Sequence, residues 1–344
     1  MTVDLATTYL GLRLRSPLVA SASPLTGDPA TARRLEDAGA GAIVLPSLFE
    51  EEILNEEIEL NRSIETGTEQ FAEALDYFPR IDSFEGIGDR YLRRLERIRK
   101  QASIPVIASL NATSAGGWVR YAERIQDAGA DALELNIYRI AADPSASGVD
   151  IENADLDLIA AVRAAVTIPL AVKLSPFYSS VANFAGRVIE RGANGLVLFN
   201  RFYQPDLDLD TLDVVNRVDL SRPWDLRLPL RWIAILRPQV GAPVGLAATT
   251  GIHSGTDALK ALMVGADVAM MTSALLRHGP EHIGFVEGEL RDWMAEHEYE
   301  SVDQLRGSVS QATVADPSAF ERANYMKTLH SWSTPSDLTT VAMP

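Results

Sequence analysis

A two-part pattern that occurs four times along the chain constrains its fold more than any other feature. One part is a helix-ending glycine followed by an apolar run, at Asp37–Leu45, Asp127–Leu135, Arg191–Phe199 and Val264–Met271. The other part is an apolar run led by proline, at Ser16–Ala22, Ile104–Leu110, Ile168–Leu174 and Ala242–Ala248. The two parts alternate and predict eight strands, each followed by a helical stretch. Such a chain is expected to form an α/β protein with a closed (β/α)₈ barrel, the TIM barrel.

Backbone chemistry explains the pattern. Glycine caps a helix in the left-handed conformation without a Cβ clash, and proline is tolerated at the first residue of a strand. The strands are nearly continuous apolar runs, as expected when the barrel interior covers one face and helices cover the other. Between strands, Asp155–Val166 carries apolar residues at helical spacing. An open, doubly wound sheet is the alternative, but alternation over eight units favours the barrel.

Composition limits the kind of protein this is. We predict one barrel domain over residues 1–306 and an extension over 307–344 whose end is disordered. The net charge of −16 argues against nucleic acid and anionic membranes as partners. No apolar run reaches the ~18–20 residues of a membrane span, and the N-terminus does not resemble a secretory signal. The absence of cysteine excludes disulfides and thiolate metal sites. We expect a cytoplasmic protein.

Three loops are longer than a minimal barrel requires. They follow the second, fourth and sixth strands, at Ser47–Gly88, Tyr138–Asp150 and Arg201–Leu228. In the first loop the acidic run Glu50–Leu60 is typical of a solvated helix face rather than a metal site, and Tyr77, Phe78 and Phe84 are predicted to cover the barrel mouth. The second loop is predicted to be mobile. The third alternates acidic and apolar residues, which predicts a short exposed β-ribbon.

Polar residues lie at the predicted C-terminal ends of the strands, where barrel enzymes carry their sites. They are Ser21, Asn111, Asn136, Lys173, Asn200, Thr250, Thr272 and Ser273, and Gly251 among them offers its backbone N–H. The last two strands lead into small-residue turns at helix starts, which offer backbone N–H groups to an anion. We therefore predict a phosphate site there, with His253 as its neighbour. Ordinary capped turns are the alternative.

Lys173 stands inside an otherwise apolar strand, where an unpaired ammonium group is too costly to bury. Three interpretations are open. The ammonium group holds the electron-rich edge of a flavin, pairs with a core acid such as Glu134, or acts as a Schiff-base nucleophile. Asn111, Asn136 and Asn200 at neighbouring strand ends suit the edge of a planar ring, which favours the flavin.

Taken together, these fragments resemble the dihydroorotate dehydrogenase family, in particular its soluble class 1 branch. The resemblance runs from about Tyr9 to Val309 and rests on "SPLVASAS", "ELN", "VKLSP", "FN", "TGIHSGTDAL" and "MTSALLRHGP". It implies bound FMN, a homodimer and a place in pyrimidine biosynthesis. By position it assigns cofactor contacts to Ala20, Ser21, Asn136, Lys173, Thr250, Gly251, Thr272 and Ser273. It assigns substrate or flavin contacts to Asn111, Asn136 and Asn200.

The substrate half of the family pattern is not kept. Arg139 stands where the soluble members carry their catalytic cysteine, and a guanidinium group does not act as a base at neutral pH. Pro46 replaces a lysine beside the flavin and substrate, and Glu73–Arg80 replaces an asparagine-containing loop. Arg139 or Arg201 is instead predicted to bind a substrate carboxylate. The base is left unassigned, with four candidates: Tyr138, Ser145, Ser147 and Tyr178.

Three functions follow from these residues. The first is an FMN-dependent oxidoreductase that passes hydride between a small anionic substrate, dihydroorotate being one candidate, and flavin N5. The second is a lyase or isomerase that takes a phosphorylated substrate and uses Lys173 as a Schiff base. The third is a non-catalytic or electron-relay flavoprotein that serves a redox protein partner. Without cysteine the chain holds no Fe–S cluster of its own.

Overall fold

The computed structural model describes residues 3–53, 55–56, 86–112, 118–201 and 203–331. Its strands are β1 (Thr7–Tyr9), β2 (Leu12–Leu14), β3 (Leu18–Ala20), β4 (Ala42–Phe49), β5 (Val106–Asn111), β6 (Ala132–Asn136), β7 (Leu170–Leu174), β8 (Gly195–Leu198), β9 (Asp206–Asp208), β10 (Asp213–Val215), β11 (Gly245–Thr249) and β12 (Val268–Met271). Its helices are α1 (Pro29–Asp37), α2 (Ile87–Gln101), α3 (Trp118–Asp127), α4 (Gly148–Ala165), α5 (Val181–Glu190), α6 (Arg227–Val240), α7 (Gly255–Val264), α8 (Ser273–His278), α9 (His282–Glu296), α10 (Val302–Leu305) and α11 (Ala323–His330).

Eight parallel strands close into a barrel in the order β11-β12-β3-β4-β5-β6-β7-β8, and β8 pairs with β11. Both parts of the repeated sequence pattern supply strands of this barrel, and helices follow them along the chain. The predicted (β/α)₈ barrel is confirmed.

Glycines and prolines set where the strands begin. The glycines that end the helices have positive φ; Gly39 and Gly265, for example, are at 113° and 118°. The prolines lie just before the strands rather than at their first residue, which corrects the predicted starts. Their carbonyl groups still join the ladder, since Pro105 O accepts from the Ile43 N–H and Pro169 O accepts from the Leu133 N–H.

The N-terminal hairpin closes one end of the barrel. Strands β1 and β2 pair antiparallel, and Tyr9 and Leu10 pack against Gly245 and Gly195, the first residues of β11 and β8. Tyr9, Leu10 and Leu14 join a buried cluster with interior residues of the barrel strands, Val19 and Ala247 among them. Because the hairpin fills this end, the C-terminal ends of the strands are the end of the barrel that is open to a ligand.

The structure agrees with some of the loop predictions made from the sequence. Strands β9 and β10 form the predicted exposed ribbon. In the predicted mobile loop, α4 begins at Gly148, because Ser147 and Asp150 form a capping box that starts the helix early. The predicted helix over Asp155–Val166 is confirmed up to Ala165 within α4, with its apolar face buried, whereas Val166 is the extended residue that ends the helix. Tyr77, Phe78, Phe84 and Glu73–Arg80 lie outside the described residues, as does the predicted disordered end.

The segment after residue 306 continues along the barrel's outer helices. The N–H groups of Gly307, Val309 and Gln311 donate to carbonyl groups of α7 and α6, so the first part of the predicted extension is held by backbone bonds. The boundary at 306 stays a prediction. No helix within the described ranges is long and apolar enough to span a membrane.

Candidate active site

A cavity of about 1170 Å³ opens at the C-terminal ends of the barrel strands. Many of the site residues predicted from the sequence line this cavity. Among the described residues, they are Ser21, Asn111, Asn136, Tyr138, Lys173, Asn200, Arg201, Thr250, Gly251, Thr272 and Ser273. Residues from nearly every barrel strand or the loop behind it therefore meet in one place, as the fold requires.

The amide groups and the lysine form one row across three neighbouring strands. Asn111 of β5 is the register partner of Asn136 of β6, and Asn136 is the partner of Lys173 of β7. Register partners point to the same side of a sheet, and all three residues line the cavity. Asn200, just after β8, extends the row, because its Nδ2 donates to Asn136 Oδ1 at 2.5 Å. The row offers hydrogen-bond donors and acceptors to a planar group lying over it.

Lys173 forms an ion pair with a buried glutamate of the neighbouring strand. Its Nζ lies 3.5 Å from Oε1 of Glu134, a residue of β6 whose side chain is 1% exposed. The structure thus shows the ion pair that was one of the three interpretations of Lys173. Lys173 also lines the cavity, so the pair does not remove this residue from the site.

Hydroxyl and amide groups converge where β11 and β12 end. The N–H of Ser221 donates to Ser273 Oγ at 2.9 Å, and the N–H of Gly251 donates to Ser221 Oγ at 3.3 Å. Thr250 and Gly251 have φ of 75° and 85°, which for a threonine is an uncommon conformation found at turns and functional sites. A Cβ on Gly251 would lie 2.4 Å from the Leu226 nitrogen. This corner is tightly built and rich in anion-binding groups.

Sequence patterns did not identify Ser221. It lies in the third long loop and is buried beside Ser273. Nothing local marks it, because its position depends on how a loop of many residues returns to the barrel.

His253 lies behind this corner. Its Nε2 is 3.4 Å from Ser221 Oγ, and it does not line the cavity. Burial lowers the pKa of His253 below its ordinary value, and the nearby Arg277 acts in the same direction. The next residue, Ser254, caps α7 and forms a capping box with Asp257.

Several predicted site residues lie elsewhere. Ala20 is fully buried within β3, behind the cavity-lining Ser21. Ser145 Oγ donates to Asp143, and Ser147 Oγ donates to Asp150 at the start of α4. Neither serine lines the cavity, and both hydroxyls bond to carboxylates two or three residues away.

Arg139 and Tyr178 line a second pocket, of about 420 Å³. Arg139 Nε donates to Asp155 Oδ1 at 3.0 Å, and the Tyr178 hydroxyl donates to Asp155 Oδ2 at 3.2 Å. Burial raises the pKa of Asp155 above its ordinary value, although Arg139 acts in the opposite direction. Burial and the Asp155 carboxylate also raise the pKa of Tyr178. Of the four base candidates, Tyr138 alone is found among the residues that line the larger cavity.

A guanidinium group from α2 reaches the cavity on the β4 side. Arg94 lines it together with Pro46. The point where a Cβ on Gly27 would stand is 3.4 Å from Arg94 Nη1 and 2.9 Å from Pro46 Cγ. The sequence shows Arg94 only as a polar position of an amphipathic helix, so its direction becomes visible only in the folded chain.

Comparison with known proteins agrees with this geometry. The family model described as dihydroorotate dehydrogenase matches residues 84–294, which is more than half of the chain. The chain belongs to the dihydroorotate dehydrogenase family. The resemblance seen in the sequence is thereby confirmed, and the protein is an oxidoreductase that acts on CH–CH bonds.

Individual relatives are distant. The chain is 25% identical over 312 residues to the dihydroorotate dehydrogenase B (NAD(+)) catalytic subunit of Thermoplasma volcanium, covering 88% of this chain and 98% of the relative. It is 23% identical over 328 residues to the chloroplastic dihydropyrimidine dehydrogenase (NADP(+)) of Arabidopsis thaliana, with 88% and 76% covered. It is 33% identical over 178 residues to dihydroorotate dehydrogenase A (fumarate) of Lacticaseibacillus paracasei, with 50% and 60% covered.

Proposed function

We propose that the protein is an FMN-dependent oxidoreductase that transfers hydride between a small anionic substrate and N5 of the flavin. One observation carries this proposal. The polar row Asn111–Asn136–Lys173 and the Gly251–Ser273 corner border the same cavity. A ring that hydrogen-bonds at its edge and ends in a phosphate tail matches these two groups.

The residues fit FMN on two counts. At the corner, the Gly251 N–H and the Ser221 and Ser273 hydroxyls bond to one another, and Ser221 Oγ is also 3.4 Å from His253 Nε2. A phosphate would replace bonds among hydroxyl and amide groups with charge-assisted ones. At the row, Lys173 lines the cavity, and its ammonium group would place a positive charge beside the ring. When bound, the flavin supplies the acceptor or donor of hydride. The protein supplies binding, orientation and charge.

Two arginines suit an anionic substrate. Arg94 and Arg201 line the cavity from α2 and from the loop after β8, and β4 and β8 stand on opposite sides of the barrel. Among the residues that the structure describes, neither forms an ion pair; Arg201 stacks over Tyr203 at 5.5 Å. A guanidinium group binds a carboxylate in a planar, two-bond geometry. Either side chain would therefore be placed to hold a substrate carboxylate on its own side of the cavity.

Tyr138 is our candidate for the group that exchanges a proton with the substrate. Tyr138 lies two residues after Asn136 of the polar row and lines the cavity. A phenol is a weak base at neutral pH and a competent proton donor, which suits reduction of a C=C bond at least as well as its formation. Dihydroorotate is one candidate substrate and is not assigned as the substrate, because Pro46 and Arg139 replace the residues with which the family binds and deprotonates it.

The first experiment is the visible absorption spectrum of the purified protein. Flavin bands, with FMN released on denaturation, are expected, and dihydroorotate is then the first compound to test for bleaching the bands. FMN without any bleaching by small substrates would favour an electron-relay flavoprotein that serves a redox partner. The Schiff-base alternative predicts a colourless protein that takes up no added FMN. It also predicts that borohydride reduction in the presence of a carbonyl substrate links that substrate covalently to Lys173, and both results together would establish this alternative.

The same preparation tests the assembly. By analogy with the family we propose a cytoplasmic homodimer, and sedimentation equilibrium of the purified chain gives its mass directly. A mass of 37.4 kDa at micromolar concentration would exclude the dimer.

A further inference from the structure

Glu134 is a buried carboxylate directly beneath the polar row. It lies two residues before Asn136 on β6, and a period of two places both side chains on the same face of the strand. Its register partners are Ser109 of β5 and Ala171 of β7. Its side chain is 1% exposed, so its charge is shielded from solvent and acts on its neighbours at short range.

The two oxygens of Glu134 differ. Oε1 is 3.5 Å from Lys173 Nζ, whereas Oε2 is buried and has no hydrogen-bond partner among the residues that the structure describes. In the same described part of the chain, the hydroxyl of Tyr9 in the N-terminal hairpin is likewise buried without a partner. Burial and, after it, the charge of Glu134 raise the pKa of Tyr9. A buried ion would be expected to use both oxygens if stability alone were its purpose.

The contact with Lys173 has two consequences for the cavity. It fixes one end of a long, flexible side chain that would otherwise point freely into a large space, and it offsets part of the ammonium charge there. Any group that gains negative charge above Lys173 is therefore held less strongly than it would be by an unpaired ammonium.

We propose that Glu134 is a positioning residue for the cofactor: it anchors Lys173 beneath the flavin ring and moderates its charge, so that the site does not overstabilise the reduced ring. This inference rests on the proposed function. A purely structural ion pair would leave the preference between the oxidised and reduced forms of FMN unchanged when it is removed.

The test is Glu134→Gln in the flavin-loaded protein, with two readouts besides activity: the midpoint potential of bound FMN and the dissociation constant of oxidised FMN. Gln keeps the size of the side chain and removes its charge. We expect the ratio of dissociation constants, oxidised over reduced, to rise at least tenfold, which corresponds to an upward shift of about 30 mV for a two-electron couple. An unchanged potential would overturn the inference.

The matched control is Glu36→Gln. Glu36 is also a buried glutamate, but it lies on α1 outside the barrel, where it accepts from the Ser103 N–H and hydroxyl. The control is expected to lower stability without moving the potential. Equal shifts in both variants would show a general effect of lost buried charge and would also overturn the proposal.

Two further variants keep the test decisive if Glu134→Gln folds poorly. Glu134→Asp retains the charge but shortens the reach to Lys173, so it isolates the anchoring role; we expect at least threefold weaker FMN binding. In a Lys173→Met background, Glu134→Gln should shift the potential less than in the wild type, since part of its effect passes through the lysine. Equal shifts in both backgrounds would contradict the proposal. If wild-type protein binds no FMN, the proposed function itself fails, and that result is seen before any variant is made.

Discussion

Arg139 Nε and Asp155 Oδ1 are 3.0 Å apart, and this contact turns Arg139 away from the barrel cavity into a neighbouring pocket. By the sequence resemblance, Arg139 is predicted to occupy the position of the family's catalytic cysteine. The structure therefore explains how an arginine is tolerated there: α4 supplies a buried carboxylate, 1% exposed, that neutralises it. The prediction that Arg139 binds substrate has no support from this placement, whereas Arg201 and Arg94 do border the cavity.

Removing Arg139 should destabilise the fold. Arg139→Met leaves the buried Asp155 with the Tyr178 hydroxyl but without its cation, and we expect the free energy of unfolding to fall by about 1–3 kcal/mol. Urea denaturation measures it. Arg191→Met is the control, because Arg191 and Asp157 form an exposed pair at 4.0 Å whose loss should change stability by less than about 1 kcal/mol. Equal effects would show that the Arg139–Asp155 contact is not special.

Tyr138 and the loop serines can be separated by kinetics. Tyr138→Phe removes the hydroxyl that we place against the substrate, and the rate of substrate-dependent flavin bleaching should fall by about 10²–10⁴-fold. Stopped-flow absorbance gives this rate, and FMN content should stay unchanged. Ser145→Ala is the control, because Ser145 bonds to Asp143 and does not line the cavity. A slow Ser145→Ala enzyme beside a normal Tyr138→Phe enzyme would reverse our assignment.

Gly251 should tolerate no side chain. In Gly251→Ala the new Cβ would lie 2.4 Å from a backbone nitrogen at a φ of 85°, so we expect a loss of about 2 kcal/mol or more, together with weaker FMN binding. Gly186→Ala is the matched substitution: Gly186 lies inside α5, and apart from its own helix backbone no described residue comes within 4 Å of its added Cβ. It should gain about 0.5–1 kcal/mol. A neutral Gly251→Ala would show that the corner is not rigid.

His253 makes stability depend on pH. Because its pKa is lowered in the folded protein, the unfolded chain binds more protons between that lowered value and its own pKa of about 6.5. The His253 contribution is therefore fully present above about pH 6.5 and is lost as pH falls through the folded pKa. Denaturation curves of the wild type and His253→Gln at several pH values measure it. Their difference in unfolding free energy should shrink on acidification, and a constant difference would exclude this role.

The barrel was readable from the sequence because its signals are local. Glycines that end helices and prolines that precede strands act through the φ preferences of single residues, and apolar runs report burial on both faces. The polar row was predictable for the same reason: Asn111, Asn136 and Lys173 each stand at a strand end, and the fold brings strand ends together. The exposed ribbon β9–β10 likewise followed from its own alternation.

The direction of side chains in the loops was decided only by tertiary structure. Arg139 turns outward because α4 places Asp155 beside it, Arg94 turns inward from a helix with no local signal, and Ser221 reaches Ser273 across 52 positions. Each depends on a partner remote in sequence, whose position is set by packing of the whole barrel rather than by neighbouring residues. The sequence by itself thus determined the barrel and the strand-end residues that line its mouth. Which loop residues face the cavity was settled by long-range packing, because charged and hydroxyl groups take their direction from the partner that satisfies them.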